Sequence, residues 1–123
     1  MNALIIDDEA DICYLLAAIL RNANIGSTYV NTLEEAKNAL DTKVPEIIFL
    51  DNHLPDGMGV DFISYIKTKN PECRLVMITA YDTETDRLAA AKAGADDFIG
   101  KPFTRQSIYS AVGKLVTENR LHL

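Results

Sequence analysis

Apolar residues along this chain occur in two alternating arrangements, short continuous runs and stripes with helical spacing. Three continuous runs lie at 3–6, 47–50 and 75–78. Runs of this length, bounded by polar residues, favour strands that are covered on both faces. Two weaker segments, 27–30 and 97–99, favour more exposed strands at the edges of a sheet.

Between these runs the apolar residues recur at helical spacing. The first stripe is made of Ile12, Leu15, Leu16, Ile19 and Leu20. It indicates one face of a helix, because such residues lie on the same side of the helical turn. A second helix is expected after the sequence from Thr32 to Glu35, which has the form of a capping box.

Three more helices are predicted in the second half of the chain. The third is marked by Phe62, Ile63 and Ile66. The fourth, over 83–93, has a thin apolar stripe in which Leu88 is the one large residue. The fifth, with Thr104 as its expected cap, is carried by Ile108, Val112, Leu115 and Val116.

Five alternations of strand and helix predict an α/β fold with right-handed crossovers. We expect a doubly wound, five-stranded parallel sheet with five helices distributed over both faces. The order 2-1-3-4-5 places the three apolar strands in the centre and the weak strands at the edges, and it is an established order for such sheets. A length of 123 residues predicts one domain spanning residues 1–123.

Composition narrows the class of function. The chain is 48% hydrophobic and 24% charged, as in ordinary globular proteins, and its net charge of -6 disfavours direct binding to nucleic acid. No apolar run approaches the roughly 20 residues of a membrane helix, and no signal-peptide pattern opens the chain. We therefore expect a cytoplasmic protein without a membrane partner. Cys13 and Cys73 are expected to be small buried residues without a disulfide.

Chemically informative residues follow the predicted strands directly. In doubly wound sheets, ligands bind beyond the carboxyl ends of the strands, near the point where strands 1 and 3 meet. The residues at these ends are Asp7, Asp8, Glu9, Asp51, Thr79 and Lys101. Each one alone is compatible with a solvated loop or a helix start, but each central run ends at one of them, and this coincidence favours a functional site.

The charges in this set predict a class of chemistry. Neighbouring carboxylates repel each other unless a cation intervenes, and an all-oxygen ligand set favours Mg²⁺, with Mn²⁺ as a second possibility. The Lys101 ammonium and the Thr79 hydroxyl suit phosphate oxygens. A carboxylate such as Asp51 can act as a nucleophile and form an aspartyl-phosphate. The set therefore predicts a site that accepts a phosphoryl group.

Four segments, in this order, resemble the receiver domain of two-component response regulators. They are LIIDDE, IIFLDNHLPDGMG, VMITAY and DDFIGKPF, and together they extend over nearly the whole chain. The resemblance implies a flavodoxin-like, CheY-like fold. It also implies that Asp51 is the phosphoryl acceptor, that Asp8 binds Mg²⁺ directly and Asp7 largely through water, and that Asp51 and the backbone carbonyl of His53 complete the metal site.

The same resemblance implies a switch. Thr79 and Lys101 would bind phosphoryl oxygens, with help from the backbone of Asn52 and Ala80. Phe98 would be the aromatic residue that moves inward with Thr79. The face formed by helix 4, strand 5 and helix 5 would then repack. The bond between Lys101 and Pro102 would be cis.

The implied function is phosphorelay signalling. The donor would be a phosphohistidine on a sensor histidine kinase or a histidine phosphotransfer protein, and the protein would catalyse only its own phosphorylation and dephosphorylation. The output would pass to a downstream effector protein or a fused output domain. The chain could equally be an N-terminal fragment of a multidomain transcriptional regulator or hybrid kinase.

Two other classes of function match the sequence less well. An Asp-nucleophile phosphohydrolase of the haloacid-dehalogenase type carries a second acid two residues after the nucleophile, where this chain has His53. A flavin or nucleotide binder needs a phosphate loop after strand 1, where the acidic residues 7–9 would repel phosphate. A further hypothesis is that His53 and Tyr81 shield the acyl phosphate from water, whereas His122 has no expected role.

Overall fold

The computed structural model describes the backbone of residues 1–121 and the side chains of residues 1–115. The predictions for the Val116 side chain and for His122 lie outside this part of the chain. Within it, the elements are β1 (Asn2–Ile6), α1 (Ala10–Asn22), β2 (Gly26–Val30), α2 (Leu33–Thr42), β3 (Ile47–Asp51), β4 (His53–Leu54), β5 (Gly57–Met58), α3 (Gly59–Lys69), β6 (Arg74–Thr79), α4 (Glu84–Ala93), β7 (Asp97–Gly100) and α5 (Arg105–Leu121).

Five of these strands form the expected parallel sheet. Its order is β2-β1-β3-β6-β7, and every neighbouring pair is parallel. Counted by position along the chain, this is the order 2-1-3-4-5, so the predicted fold class and strand order are confirmed. Strands β4 and β5, of two residues each, form a separate antiparallel hairpin in the loop after β3.

Successive residues of the central strands point to opposite faces of the sheet and build two cores. On one face, Ile5, Phe49 and Val76 pack with α1 and α5. On the other face, Ile6 and Leu50 pack with α2, α3 and α4. The three central strands are therefore covered on both sides, as their continuous apolar runs predicted.

The apolar stripe of α1 was predicted with one wrong member. Leu15 is 51% exposed, whereas Cys13 is fully buried and Leu16 and Leu20 lie beside it in the core. At 3.6 residues per turn, Leu15 lies about 120° from the centre of the buried stripe, outside the surface that meets the sheet. Cys13 is a free, buried cysteine, as expected, and its thiol donates to the carbonyl oxygen of Asp7 over 3.4 Å.

The predicted caps of α2 and α5 are present. The Thr32 hydroxyl accepts from the Glu35 N–H at 3.0 Å, but the Glu35 carboxylate returns to the N–H of Asn31 instead of Thr32. At the start of α5, the Thr104 and Ser107 hydroxyls each accept from the other residue's N–H at 3.0 Å. Both helices thus begin where the sequence placed them.

Helix α4 contributes few residues to the core, as its thin apolar stripe predicted. Ala90 is the one buried residue among residues 84–93. Leu88, the large apolar residue of the helix, is 54% exposed. Because little apolar area anchors α4, displacing it costs less than displacing a helix with a full stripe.

Candidate functional site

The register of the sheet brings the two buried acids together. Ile6 of β1 is paired with Leu50 of β3, so Asp7 and Asp51 are the next residues at the carboxyl ends of neighbouring strands. By strand alternation both acids lie on the same face of the sheet as Ile5 and Phe49, which is the face covered by α1 and α5. Asp7 is 3% exposed and Asp51 is 5% exposed.

Two further acids, which are exposed to solvent, lie beside this buried pair. Carboxylate oxygens of Asp7, Asp8, Glu9 and Asp51 all lie within 4.8 Å of one another. Asp8 and Glu9 are exposed, and the Glu9 N–H donates to the Asp7 carboxylate at 2.9 Å. The cluster is therefore a pocket with a buried floor and a solvated mouth.

Lys101 supplies the positive charge of this pocket. Its Nζ lies 2.9 Å from Asp7 Oδ2, 3.0 Å from Glu9 Oε1 and 3.6 Å from Asp51 Oδ2. The Lys101 N–H donates to the carbonyl oxygen of Thr79 at 2.8 Å, which holds the end of β7 beside the end of β6. The bond from Lys101 to Pro102 is cis, as the resemblance implied.

The protonation equilibria reflect this crowding. Burial, together with the charge of Asp7, raises the pKa of Asp51 to about 6 despite the opposing effect of Lys101. For Lys101, burial lowers the pKa, but hydrogen bonds to Asp7 and Glu9 and the charge of Asp51 outweigh it and raise the pKa to about 12. The Lys101 ammonium therefore stays charged, while the Asp51 carboxyl group loses its proton at a higher pH than an ordinary aspartate does.

Thr79 and Phe98 lie in the neighbouring strands β6 and β7. Thr79 is fully buried at the end of β6, and its hydroxyl accepts from the Tyr81 N–H at 3.2 Å. Phe98 in β7 is half-buried and packs against the core formed with α2, α3 and α4. The two residues predicted to switch therefore lie in neighbouring strands. The Thr79 hydroxyl is held by the loop that follows β6.

The loop after the acceptor strand is fixed to the start of α3. Asn52 is buried, and its carbonyl and side-chain oxygens accept from the N–H groups of Gly59 at 2.8 Å and Val60 at 2.9 Å. A side chain at Gly59 would collide with the carbonyl oxygen of Asp51 and come within 3.1 Å of Asn52 Cα. Gly59 is thus required by space, whereas Gly57 has a φ of 153°, a backbone angle that favours glycine.

His53 and Tyr81 form an aromatic pair. Their ring centroids are 4.3 Å apart with an interplanar angle of 61°, and both side chains are exposed. His53 follows β3 by two residues and Tyr81 follows β6 by two residues. The rings therefore connect the two loops that flank Asp51 and Thr79.

Three contributions to the site were not predicted. Glu9 was noted only as part of the acidic segment, but it pairs directly with Lys101. Asn31 donates from its side chain to the carbonyl oxygen of Asp7 at 2.8 Å. The ion pair of Asp82 with Arg87 lies against β7. The position of Glu9 directly after Asp7 and Asp8 was a sequence signal that could have identified it as part of the site. The contacts of Asn31 and of the Asp82–Arg87 pair depend on tertiary packing and leave no such signal.

The acidic pocket fits a hard divalent cation. Its side-chain donors are all carboxylate oxygens, two of them buried and two exposed, which suits an ion that combines protein oxygens with water. Asp7, Asp8 and Asp51 are the predicted ligands among these acids. The predicted contribution of the His53 backbone carbonyl stays a prediction.

The fold and this acidic pocket at its strand ends define a doubly wound, flavodoxin-like α/β protein. The chain belongs to the response regulator receiver domain family, whose model matches residues 3–113. The recognition of the family from the four sequence segments is therefore confirmed, and with it the placing of the chain in two-component signalling. Receiver domains of this family are signalling domains.

Relatives and solved structures agree with this assignment. The response regulator protein PilR of Pseudomonas aeruginosa is 38% identical over 101 residues, which cover 82% of this chain and 23% of PilR. The phosphate regulon transcriptional regulatory protein PhoB of Escherichia coli is 32% identical over 111 residues, 89% of this chain and 48% of PhoB. A two-component response regulator from Clostridium difficile is 27% identical with a TM-score of 0.91, covering 95% of this chain and 96% of that one.

The chain spans less than half the length of these two curated relatives. Among the helices of the described residues, none is long and apolar enough to cross a membrane.

Proposed function

We propose that residues 1–123 form a single receiver domain that accepts a phosphoryl group on Asp51 in a Mg²⁺-dependent reaction. The donor is a phosphohistidine on a sensor histidine kinase or a histidine phosphotransfer protein. The observation that carries the proposal is the position of Asp51 at the carboxyl end of β3, between Lys101 and the acids of the β1 loop.

In this proposal the Asp51 carboxylate attacks phosphorus, the P–N bond of the donor breaks, and the electron pair and a proton pass to the leaving imidazole. Lys101 and the Thr79 hydroxyl bind phosphoryl oxygens, for which each must move from its present partner. When bound, Mg²⁺ supplies positive charge between the acids and the incoming phosphoryl oxygens. Asp7, Asp8, Asp51 and the His53 carbonyl would hold it.

The reaction modifies the protein itself, so no separate metabolite is turned over. With acetyl phosphate and Mg²⁺, we expect one acyl phosphate per chain, detected by intact mass spectrometry. With p-nitrophenyl phosphate, we expect no steady release of p-nitrophenol. Continuous turnover of p-nitrophenyl phosphate would contradict this assignment and would favour a phosphohydrolase.

The output is proposed to use the face of α4, β7 and α5. The thin attachment of α4 supports this, because the helix can shift at low cost. The recipient is a downstream effector protein or a fused output domain in the cytoplasm. Relatives named as transcriptional regulatory proteins are much longer than this chain, which supports the alternative that it is the N-terminal part of a multidomain regulator.

Replacing one exposed acid of the pocket tests the metal site. Asp8→Asn is expected to weaken Mg²⁺ binding about tenfold or more, because it removes a charged oxygen ligand. Isothermal titration with MgCl₂ measures the change. Asp11→Asn is the control, since Asp11 lies in the first turn of α1 and is not part of the acidic cluster. Equal Mg²⁺ affinities for the two variants would contradict the role of Asp8.

Removing the aromatic pair tests the shielding hypothesis. His53→Ala and Tyr81→Ala are each expected to shorten the half-life of phosphorylated Asp51 roughly threefold to tenfold, because water then reaches the acyl phosphate more easily. The decay is followed by mass spectrometry after removal of acetyl phosphate. His53→Phe keeps the ring and is expected to retain the wild-type half-life. An unchanged half-life in His53→Ala would refute shielding by that residue.

A further inference from the structure

An ion pair at the edge of the sheet joins the loop after β6 to helix α4. The Arg87 guanidinium donates to both carboxylate oxygens of Asp82, with Nε at 2.5 Å and Nη2 at 3.0 Å. Arg87 lies in α4, whereas Asp82 lies in the loop that leads from Thr79 to that helix. This two-pronged geometry fixes the direction of the arginine side chain as well as its distance.

The same pair also contacts β7. Cζ of Arg87 lies 4.7 Å from the centroid of the Phe98 ring, within the range of a cation–π contact. Asp82 lies against Gly100, where an added Cβ would come within 2.7 Å of the Asp82 carboxylate. The pair therefore contacts the predicted switch aromatic at one end and the residue before Lys101 at the other.

The loop that carries Asp82 also contacts the Thr79 hydroxyl. Thr79 accepts from the Tyr81 N–H, and Asp82 is the next residue of that loop. In the register of β6 and β7, Thr79 is paired with Gly100, and Met77 is paired with Phe98. A shift of Thr79 toward Asp51 would therefore break its contact with the loop that carries Asp82, and an inward turn of Phe98 would remove its ring from Arg87.

We propose that this pair, the Asp82–Arg87 latch, holds the present arrangement of the loop, α4 and Phe98 and opposes phosphorylation of Asp51. The inference deepens the proposed function, on which it rests. Arg87 is a positioning residue in this scheme, since it acts on Thr79 and Phe98 and touches no reacting atom. A contact that exists in only one of two arrangements biases their equilibrium by its own strength.

The expected size of the bias follows from the exposure of the pair. Both side chains are close to half exposed, and an isolated ion pair of this kind shifts an equilibrium by a few-fold at most. The two-pronged geometry and the contact with Phe98 increase the expected shift of the equilibrium. Removing the latch is therefore expected to favour the alternative arrangement roughly threefold to tenfold.

The first test measures the rate of phosphorylation by acetyl phosphate with saturating Mg²⁺. Arg87→Gln and Asp82→Asn are each expected to accelerate it roughly threefold to tenfold, and the double variant no further, because either change breaks the same contact. A purely structural contact would give a slower or unchanged rate when removed. Lys69→Gln is the matched control, since Lys69 also pairs with an acid, Asp41, and lies 5.7 Å from the Tyr65 ring centroid, but in α3.

The second test uses the protein without acetyl phosphate. Amide hydrogen exchange of α4 and β7 is expected to accelerate by a similar factor in the Arg87 and Asp82 variants, while exchange in β1 and β3 is unchanged. Rates equal to or below wild type in both single variants would overturn the latch. Gains that multiply in the double variant would also overturn it, since the two side chains would then act independently.

The two tests separate the latch from the proposed function. If wild-type protein forms no acyl phosphate on Asp51, the proposed function fails, and the exchange rates alone decide whether the pair restrains α4 and β7. If labelling occurs but the variants behave like Lys69→Gln in both tests, only the latch is wrong.

Discussion

Asp51→Asn is expected to lower Mg²⁺-dependent labelling by acetyl phosphate about 100-fold or more. The amide has no carboxylate oxygen to form an acyl phosphate, so the nucleophile itself is lost. Intact mass spectrometry after a fixed incubation measures the labelled fraction. Asp61→Asn is the matched control, because Asp61 is an exposed acid in the first turn of α3. Labelling of Asp51→Asn at the wild-type level would refute the assignment of the acceptor.

The same substitution is expected to stabilise the fold. Burial, together with the charge of Asp7 beside it, raises the pKa of Asp51 to about 6 from an ordinary value of 3.8. The folded protein therefore binds this proton more tightly than the unfolded chain does. In EDTA, wild-type stability should fall as the pH rises from about 4 to about 6 and then level off, whereas this contribution is absent from Asp51→Asn.

At pH 7 in EDTA, we expect Asp51→Asn to unfold with a free energy roughly 1–3 kcal/mol above wild type. The difference should narrow when Mg²⁺ is added, because the ion binds the folded wild-type pocket more strongly. Urea unfolding at several pH values measures both effects. A variant less stable than wild type at pH 7 would show that the attraction of Asp51 to Lys101 outweighs its burial and its repulsion by Asp7.

The strand order and the position of the acids could be predicted because they depend on local patterns. Continuous apolar runs identified the buried strands, and the residue after each run fell at the carboxyl edge of the sheet. Parallel pairing then brought Asp7, Asp51 and Lys101 together without any knowledge of their contacts. The clustering of these side chains is an observation of the structure, whereas their roles in phosphoryl transfer remain proposals.

Other features depend on packing that a single sequence does not encode locally. Leu15 was assigned to the core because its spacing matches a helical face, but the sheet meets α1 on the side of Cys13 and Leu16. The requirement for glycine at position 59 is also tertiary, because its lack of a Cβ lets α3 begin against the backbone of Asp51. The contact of Arg87 with Phe98 joins residues of different elements and leaves no periodic signal.

The pocket concentrates negative charge in the folded protein, and the proposed reaction would add more. Asp7, Asp8, Glu9 and Asp51 concentrate negative charge, which disfavours folding, and Lys101 is the cation the structure places among them within the described residues. A phosphoryl group brings further negative charge to the same place. The site therefore combines an unfavourable charge distribution in the folded protein with a strong requirement for cations during the reaction.

Lys101→Met is expected to lower the unfolding free energy by about 3 kcal/mol or more in EDTA, because it leaves buried acids without their partner. The side chains of Lys101 and Asp7 are 9% and 4% exposed, so water compensates little for the loss. Mg²⁺ should restore part of the stability and bind more tightly than in wild type, since it replaces the missing charge. Urea unfolding with and without MgCl₂ measures both effects.

Labelling by acetyl phosphate should nevertheless fall about 10- to 100-fold in Lys101→Met, because the phosphoryl oxygens lose a charged hydrogen-bond donor. Lys101→Arg separates the two roles of the residue. Arginine keeps the charge beside Asp7 and should retain most of the stability in EDTA, but its planar fork cannot follow the phosphoryl oxygens as a lysine ammonium does. Wild-type labelling in Lys101→Met would contradict the role of this ammonium, and unchanged stability in EDTA would show that the acids tolerate one another without it.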